Sequence, residues 1–196
     1  YEQYQANRPL VLAAKTNSYQ EWGAYLKAYS ESLGLQQERA YWRAAEQASS
    51  GCWEAGYGQG AGVVSGQRRQ LSLKLDKTRT QALLSDVPKS YRTQVNEVLL
   101  AGLWLANRAC SGRDTLAVTL EGHGRSPEND KIDLSQTVGW FTSMYPLRLA
   151  CEAQDIGTVL MRLKEQYRAV PNAGLGYGVL KYLSAEKALV CAELPA

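Results

Sequence analysis

Glu121 stands where an alternating stretch gives out into a turn bracketed by two glycines, Gly122 and Gly124, and that turn holds His123, the only His of the chain. Glycines on both sides let the backbone turn sharply or approach another group closely. A strand, then a Glu, then such a turn is a common way to hold a carboxylate rigidly at the edge of a cleft. A solvated Glu in an ordinary strand-to-loop turn has the same pattern. Arg125 next to it reads as an anion contact or as a loop charge. Some fifteen residues on, Val138, Gly139, Trp140, Phe141, Met144 and Tyr145 crowd together. They suit a core-lining loop that leads into a strand, or a binding loop that lines an apolar channel.

The elements that must position these groups are two strands. From Thr115 to Leu120, Leu116, Val118 and Leu120 alternate with Ala117 and Thr119, the period of a half-buried strand. Tyr145-Pro146 opens a second alternating run, Leu147 and Leu149 against Arg148; Pro can begin a strand but disrupts the interior of a central one. Upstream, residues 1–15 read as a loop or linker. Ser18 with Glu21 forms a capping box, which predicts a helix with Tyr19, Trp22, Leu26, Tyr29 and Leu33 on one face, ended by Gly34. A second helix is predicted from about Gln36 to Ala48, its Tyr41 and Trp42 serving the core. Six glycines between Gly51 and Gly66 predict a flexible connector. No Lys-Ser/Thr follows them at P-loop spacing, so they are not a phosphate cradle. Leu71, Leu73 and Leu75 predict a strand over 70–75, followed by a short helix over 78–86 that stops before Pro88. Ser90 is expected to cap a long helix to about Ala109, its apolar face made of Val95, Val98, Leu99, Gly102, Leu103 and Ala106, closed by Cys110-Ser111-Gly112. Residues 156–169 predict an amphipathic helix closed by Pro171. Residues 179–183 fit a short helix or a strand, and 188–194 a strand.

The chain has 196 residues, 45% of them hydrophobic, enough for a proper core in one domain or one lobe of a larger one. The net charge of +3 is spread without a dense basic block, which argues against nucleic acid and anionic membranes. No apolar run is long enough to cross a bilayer, no signal peptide is visible, and the expected location is cytoplasmic. Cys52, Cys110, Cys151 and Cys191 are scattered without CxxC pairing, so free buried thiols are expected rather than a zinc site. Interleaved strands and helices of unequal spacing imply a mixed α/β or α+β fold.

EGHGR at 121–125, TVGWFTSMYPLRL at 137–149 and PNAGLGYG at 171–178 resemble, in order and spacing, three signature motifs of the epimerization domains of nonribosomal peptide synthetases, within the condensation-domain superfamily. The run Asn96-Glu97-Val98-Leu99-Leu100-Ala101 is similar to a fourth. The pair EGHGR and VGWFTxxYP is what separates epimerization domains from their condensation-domain relatives. The resemblance implies a lobe like chloramphenicol acetyltransferase, a mixed sheet flanked by helices, in a two-lobed V-shaped domain around a tunnel. On this reading residues 1–50 are connecting helices, 51–68 a Gly-rich loop and 69–196 the C-terminal lobe.

The implied reaction converts an L-aminoacyl or peptidyl thioester, carried on the phosphopantetheine arm of a peptidyl carrier protein, to an L/D mixture. No metal or cofactor of this chain's own is needed. Adenylation and condensation modules are the implied neighbours. By motif position Glu121 is one proton-transfer group, Gly122 and Gly124 let its loop approach the substrate, and His123, Arg125, Trp140 and Tyr145 shape the tunnel. The family's second essential group is a His in an HHxxxDG motif, which these residues lack; it is expected upstream, in an N-terminal lobe. Ser126 stands where the motif usually has Glu, and Gln136 where it usually has Arg. A condensation domain that forms an amide, or a non-catalytic lobe that docks a carrier protein, are the alternative readings.

Overall fold

The computed structural model describes residues 2–12, 14–49, 70–125 and 132–184. The described chain begins with one helical turn, α1 (Glu2–Gln5), and the next regular element starts after Ser18. Ser18 then caps α2 (Tyr19–Ser30): its hydroxyl accepts from the Glu21 N–H, and the Glu21 carboxylate accepts from the Ser18 N–H at 2.5 Å. The helix ends at Glu31, ahead of Gly34. The Ser32 hydroxyl accepts from the Leu35 N–H at 3.2 Å, so α3 (Leu33–Ser49) has already begun and Gly34 lies in its first turn. Leu33 and Tyr19 consequently fall off the buried face, at 76% and 51% exposure.

The predicted strand over 70–75 does not form among the described residues; the segment has no regular secondary structure, and Leu71 and Leu73 are exposed. A strand needs a hydrogen-bonding partner, and no described strand lies beside it. The short helix is longer than expected. Asp76 caps α4 (Lys77–Gln81), a π-turn over Ala82–Asp86 follows, and α5 (Val87–Tyr91) takes Pro88 into its first turn. The wider turn suits a residue that has no N–H to give and whose ring crowds the preceding turn. Ser90 therefore lies inside α5, where it donates to the Asp86 carbonyl, and caps nothing. The N-cap of α6 (Val95–Ser111) is Gln94, whose N–H donates to the Glu97 carboxylate at 2.7 Å. Gly112, at φ +71°, ends that helix as expected.

β1 (Thr115–Gly122) and β2 (Ser143–Ala150) form an antiparallel pair in which Glu121 faces Met144 and Gly122 faces Ser143. Pro146 sits inside β2, opposite Thr119, so it does more than start the strand. α7 (Ile156–Arg168) is capped by Asp155. A tight turn over Pro171–Gly174 leads to α8 (Leu175–Tyr182), which resolves the 179–183 alternative in favour of helix. The Gly-rich stretch and the predicted terminal strand lie outside the described residues.

The main core joins Leu35 and Trp42 of α3, Trp104 of α6, Leu147 and Leu149 of β2, Val159, Leu160 and Leu163 of α7, and Tyr177 and Leu180 of α8. A second cluster gathers Trp22, Ile132, Leu134, Phe141 and Leu175. On α6 the buried residues are Glu97, Leu100, Ala101 and Trp104 rather than the predicted stripe. Glu97, 2% exposed, takes a forked contact from Arg168 of α7: Nε to Oε1 at 2.6 Å and Nη2 to Oε2 at 3.1 Å. That pair fixes α7 against α6.

Candidate functional site

The end of the β1–β2 ribbon, the exposed side of α6 and the turn before α8 enclose a cavity of about 440 Å³. Its walls are Leu120, Glu121, Gly122, His123 and Gly124 from β1 and its turn, Ser143 and Tyr145 from β2, Asn96, Leu99, Leu100 and Leu103 from α6, Tyr167 from α7, and Asn172, Ala173 and Leu175. The predicted stripe on α6 thus has a partner: its Leu99 and Leu103 face this space instead of the core.

Glu121 is exposed at the rim. His123 is exposed too, and its Nδ1 accepts the Arg125 N–H at 3.1 Å, which leaves Nε2 to carry the proton of the neutral ring. Tyr145 is 4% exposed; its ring packs against Trp42 with centroids 6.0 Å apart. Burial, and the Tyr167 hydroxyl to which it is hydrogen-bonded, push the Tyr145 phenol up to about 12. It is therefore a neutral hydroxyl near pH 7, able to donate but not to act as a base.

Three backbone devices hold the site. Gly124 adopts φ +66°, and a Cβ there would lie 1.7 Å from the Phe141 carbonyl oxygen. Gly174 adopts φ +86°, and its Cβ would lie 1.9 Å from the Tyr145 ring. Between them, Asn172 and Ala173 also take left-handed conformations, at φ +44° and +47°. Asn172 is anchored from outside the cavity: its Nδ2 donates to the Tyr29 hydroxyl at 3.2 Å, and Tyr29 bonds to Glu38 of α3. Glu38 accepts from Trp42 Nε1 at 2.8 Å. Burial first, then the Glu38 contact, raises the Tyr29 phenol well above its ordinary value, so this link also stays protonated.

Two of the seven sequence-derived residues do not line the cavity. Arg125 folds back on the 132–141 loop, donating from Nη1 to the Leu134 and Thr137 carbonyls at 3.0 and 2.8 Å and from Nη2 to Gly139 at 3.2 Å. Its guanidinium carbon lies 4.3 Å from the Phe141 ring centroid. Trp140 points outward at 78% exposure, while its carbonyl accepts from the Tyr19 hydroxyl at 3.1 Å. The other five, Glu121, Gly122, His123, Gly124 and Tyr145, are brought together. Sequence reasoning missed Tyr167, Asn172, Ala173 and Ser143 as site residues. PNAGLGYG was the available signal for Asn172 and Ala173; nothing in the helical spacing of α7 separated Tyr167 from the core.

Among the described residues Cys110 is exposed, Cys151 is buried, and both are free thiols. No group of His, Cys, Asp and Glu there is arranged to hold a metal. No helix among them is long and apolar enough to cross a membrane.

Among the known proteins similar to this chain are linear gramicidin and bacitracin synthases. A linear gramicidin synthase protein of Brevibacillus parabrevis is 42% identical over 191 residues, which are 97% of this chain and 4% of that protein. Bacitracin synthase 2 of Bacillus licheniformis is 36% identical over 196 residues, all of this chain and 8% of that protein. The chain thus spans a small fraction of the synthetases it matches. The crystal structure of the epimerization domain from the third module of tyrocidine synthetase B superposes with a TM-score of 0.74 at 31% identity, over 95% of this chain and 42% of that one. The condensation domain family matches residues 1–190. With its mixed α/β lobe and its three interlocked motif loops, the chain belongs to the condensation domain family of nonribosomal peptide synthetases.

Proposed function

We propose that these residues form the Glu-bearing part of an epimerization domain, which inverts the α-carbon of an L-aminoacyl or peptidyl thioester carried on the phosphopantetheine arm of a peptidyl carrier protein. The observation that carries this reading is Glu121 at the rim of a cavity whose other polar groups include Asn96, Tyr145, Tyr167 and Asn172. The α-proton of a thioester is weakly acidic, so the base must come within hydrogen-bond reach of it. Glu121 takes or returns that proton on one face of the α-carbon. When the C–H bond breaks, its electron pair moves into the enolate. A donor held near the oxygen then stabilises the charge, a role open to the Tyr145–Tyr167 hydroxyl pair or to the Asn96 amide. Protonation from the opposite face gives the D isomer. It needs a second acid, assigned here to the HHxxxDG histidine of the other lobe. Water must leave Glu121 for the step to proceed.

The test is to load the adjacent carrier protein of the natural synthetase with an L-aminoacyl or peptidyl group, release the product and resolve it on a chiral column, for the native protein and for Glu121→Gln. Native protein should give D product, and the variant should lose about 100-fold to 10,000-fold in rate. D product that survives the substitution removes Glu121 from the reaction. Amide product without D isomer moves the assignment to condensation, and carrier binding without either product moves it to a docking lobe.

A further inference from the structure

The composition of the cavity wall names the class of side chain it receives. Asn96, Leu99, Leu100 and Leu103 lie on one stripe of α6, and the stripe from Asn96 to Leu103 is about 10 Å long. Its polar end is marked by the Glu97–Arg168 pair, since Asn96 and Tyr167 are the sequence neighbours of those two residues and both line the cavity. Its far end is Leu103. Leu100 is 8% exposed and belongs to the core, but Leu99 and Leu103 remain 53% and 48% exposed, while the other leucines and the Trp of this helix are buried or half-buried. Leu120 and Leu175 complete the apolar wall. Among the described residues, Glu121 is the one carboxylate and His123 the one basic side chain lining the space.

We infer that this leucine wall is the subsite for the side chain of the residue being inverted, and that it selects a large apolar side chain, aliphatic or aromatic, over charged or very small ones. The inference rests on the epimerization reading and deepens it. A thioester whose reacting carbon sits at Glu121 has its polar backbone directed to Asn96 and Tyr167, and its side chain has the Leu99–Leu103 wall beside it. A charged side chain laid against Leu99, Leu103, Leu120 and Leu175 meets no charged group on that wall and gives up part of its hydration. A side chain as small as that of Ala leaves the wall bare. A volume near 440 Å³ is ample for the side chain together with part of the tether.

The experiment uses the natural synthetase protein and its own carrier, loaded in turn with L-Leu, L-Phe, L-Ala, L-Glu and L-Lys, with kcat/KM for D-product formation read for each. Leu and Phe should exceed Glu and Lys by about 100-fold and Ala by about 10-fold or more. Leu103→Ala and Leu99→Ala should each compress the Leu-to-Ala ratio severalfold, and Leu103→Arg should raise Glu relative to Leu. These are ratios on one preparation, so a loss of folded protein cancels. D product formed from all five with equal kcat/KM, or ratios unmoved by both leucine substitutions, overturns the inference and leaves epimerization standing. Absence of D product from every substrate overturns both.

Discussion

Gly124→Ala and Gly112→Ala form a matched pair that tests whether the Glu121 turn is held by contact or only by backbone conformation. Both glycines are left-handed, at φ +66° and +71°. An Ala at either one incurs roughly 1–2 kcal/mol for that conformation. At Gly112 a Cβ meets nothing within 4 Å, so this conformational cost is the whole effect. At Gly124 the Cβ would lie 1.7 Å from the Phe141 oxygen and 2.7 Å from its carbon. The obstacle is backbone, and that backbone is pinned, because Arg125 holds the neighbouring Gly139, Thr137 and Leu134 carbonyls while the Tyr19 hydroxyl holds Trp140. One side must retreat by more than about 1 Å, which adds roughly 1–3 kcal/mol. Gly124→Ala should therefore destabilise by about 2–5 kcal/mol and Gly112→Ala by about 1–2 kcal/mol. Urea titration, together with hydrogen exchange of the β1–β2 amides, gives the comparison. Under the proposed epimerization Glu121 is the reacting group, and a displacement of about 1 Å in such a group costs on the order of 100-fold in rate; Gly124→Ala should then depress D-product formation by that factor while Gly112→Ala leaves it unchanged. Equal destabilisation by the two substitutions would refute the contact argument, and full activity in a folded Gly124→Ala protein would refute the link from the turn to Glu121.

Other consequences are checked more quickly. Ser18→Ala removes the hydroxyl of the α2 capping box and should cost about 1 kcal/mol by denaturant titration. The Ser18 N–H and hydroxyl hold the Glu21 carboxyl below its ordinary range. This contribution is present above that range and is lost as pH falls through the lowered value; Ser18→Ala keeps the N–H, so Glu21→Gln is the substitution that should flatten the acid limb of the stability curve. The Tyr145 phenol, raised to about 12, works in the opposite direction. Its contribution is complete below about pH 10, the ordinary phenol value, and is lost as pH rises toward 12, and Tyr145→Phe should flatten that part of the stability curve. Glu97→Ala takes the acceptor from Arg168 Nε and leaves Nη2 with the Arg92 carbonyl alone, and it should lower the thermal midpoint by several degrees, more than Arg168→Lys, which keeps the charge and loses the fork.

Features written in local chemistry were legible in the sequence. The Ser18–Glu21 box, the Gly112 stop, the β1 alternation and the amphipathic spacing of α7 each depend on residues a few positions apart. What depended on tertiary partners was not legible. Leu71, Leu73 and Leu75 alternate as a strand should, yet no described strand pairs with them. Leu99 and Leu103 have core spacing, but the space in front of them is the cavity. Ser90 is a better cap by residue type than Gln94, and Gln94 prevails because Glu97 reaches back to its N–H while also receiving Arg168 from across the fold. At the site, the glycines predicted to permit close approach do so, whereas the charge on Arg125 is directed at backbone carbonyls of the same chain.

That use of Arg125 explains why three sequence motifs scattered over more than fifty residues act as one. Each supplies a backbone requirement that another satisfies. Gly124 of the first motif makes room for the Phe141 carbonyl of the second, and Arg125 binds the Thr137 and Gly139 carbonyls of that same loop. Gly174 of the third makes room for the Tyr145 ring of the second, and a Cβ on Gly122 would come within 3.5 Å of the Ala173 carbonyl. The Ser143 hydroxyl, buried without a partner among the described residues, lies 3.0 Å from that same point, where β2 meets the turn. Most of these residues hold the backbone around the cavity that Glu121 and Tyr145 line. A substitution at one motif should therefore be compensated by a partner in another rather than by a change near it in sequence. Arg125→Ala, which frees three carbonyls at once, should loosen the 132–141 loop and lower D-product formation even though its side chain does not face the cavity. Hydrogen exchange confined to the 132–141 loop and the β1–β2 end would follow from this interlock, while exchange spread evenly over α6 and α7 would contradict it.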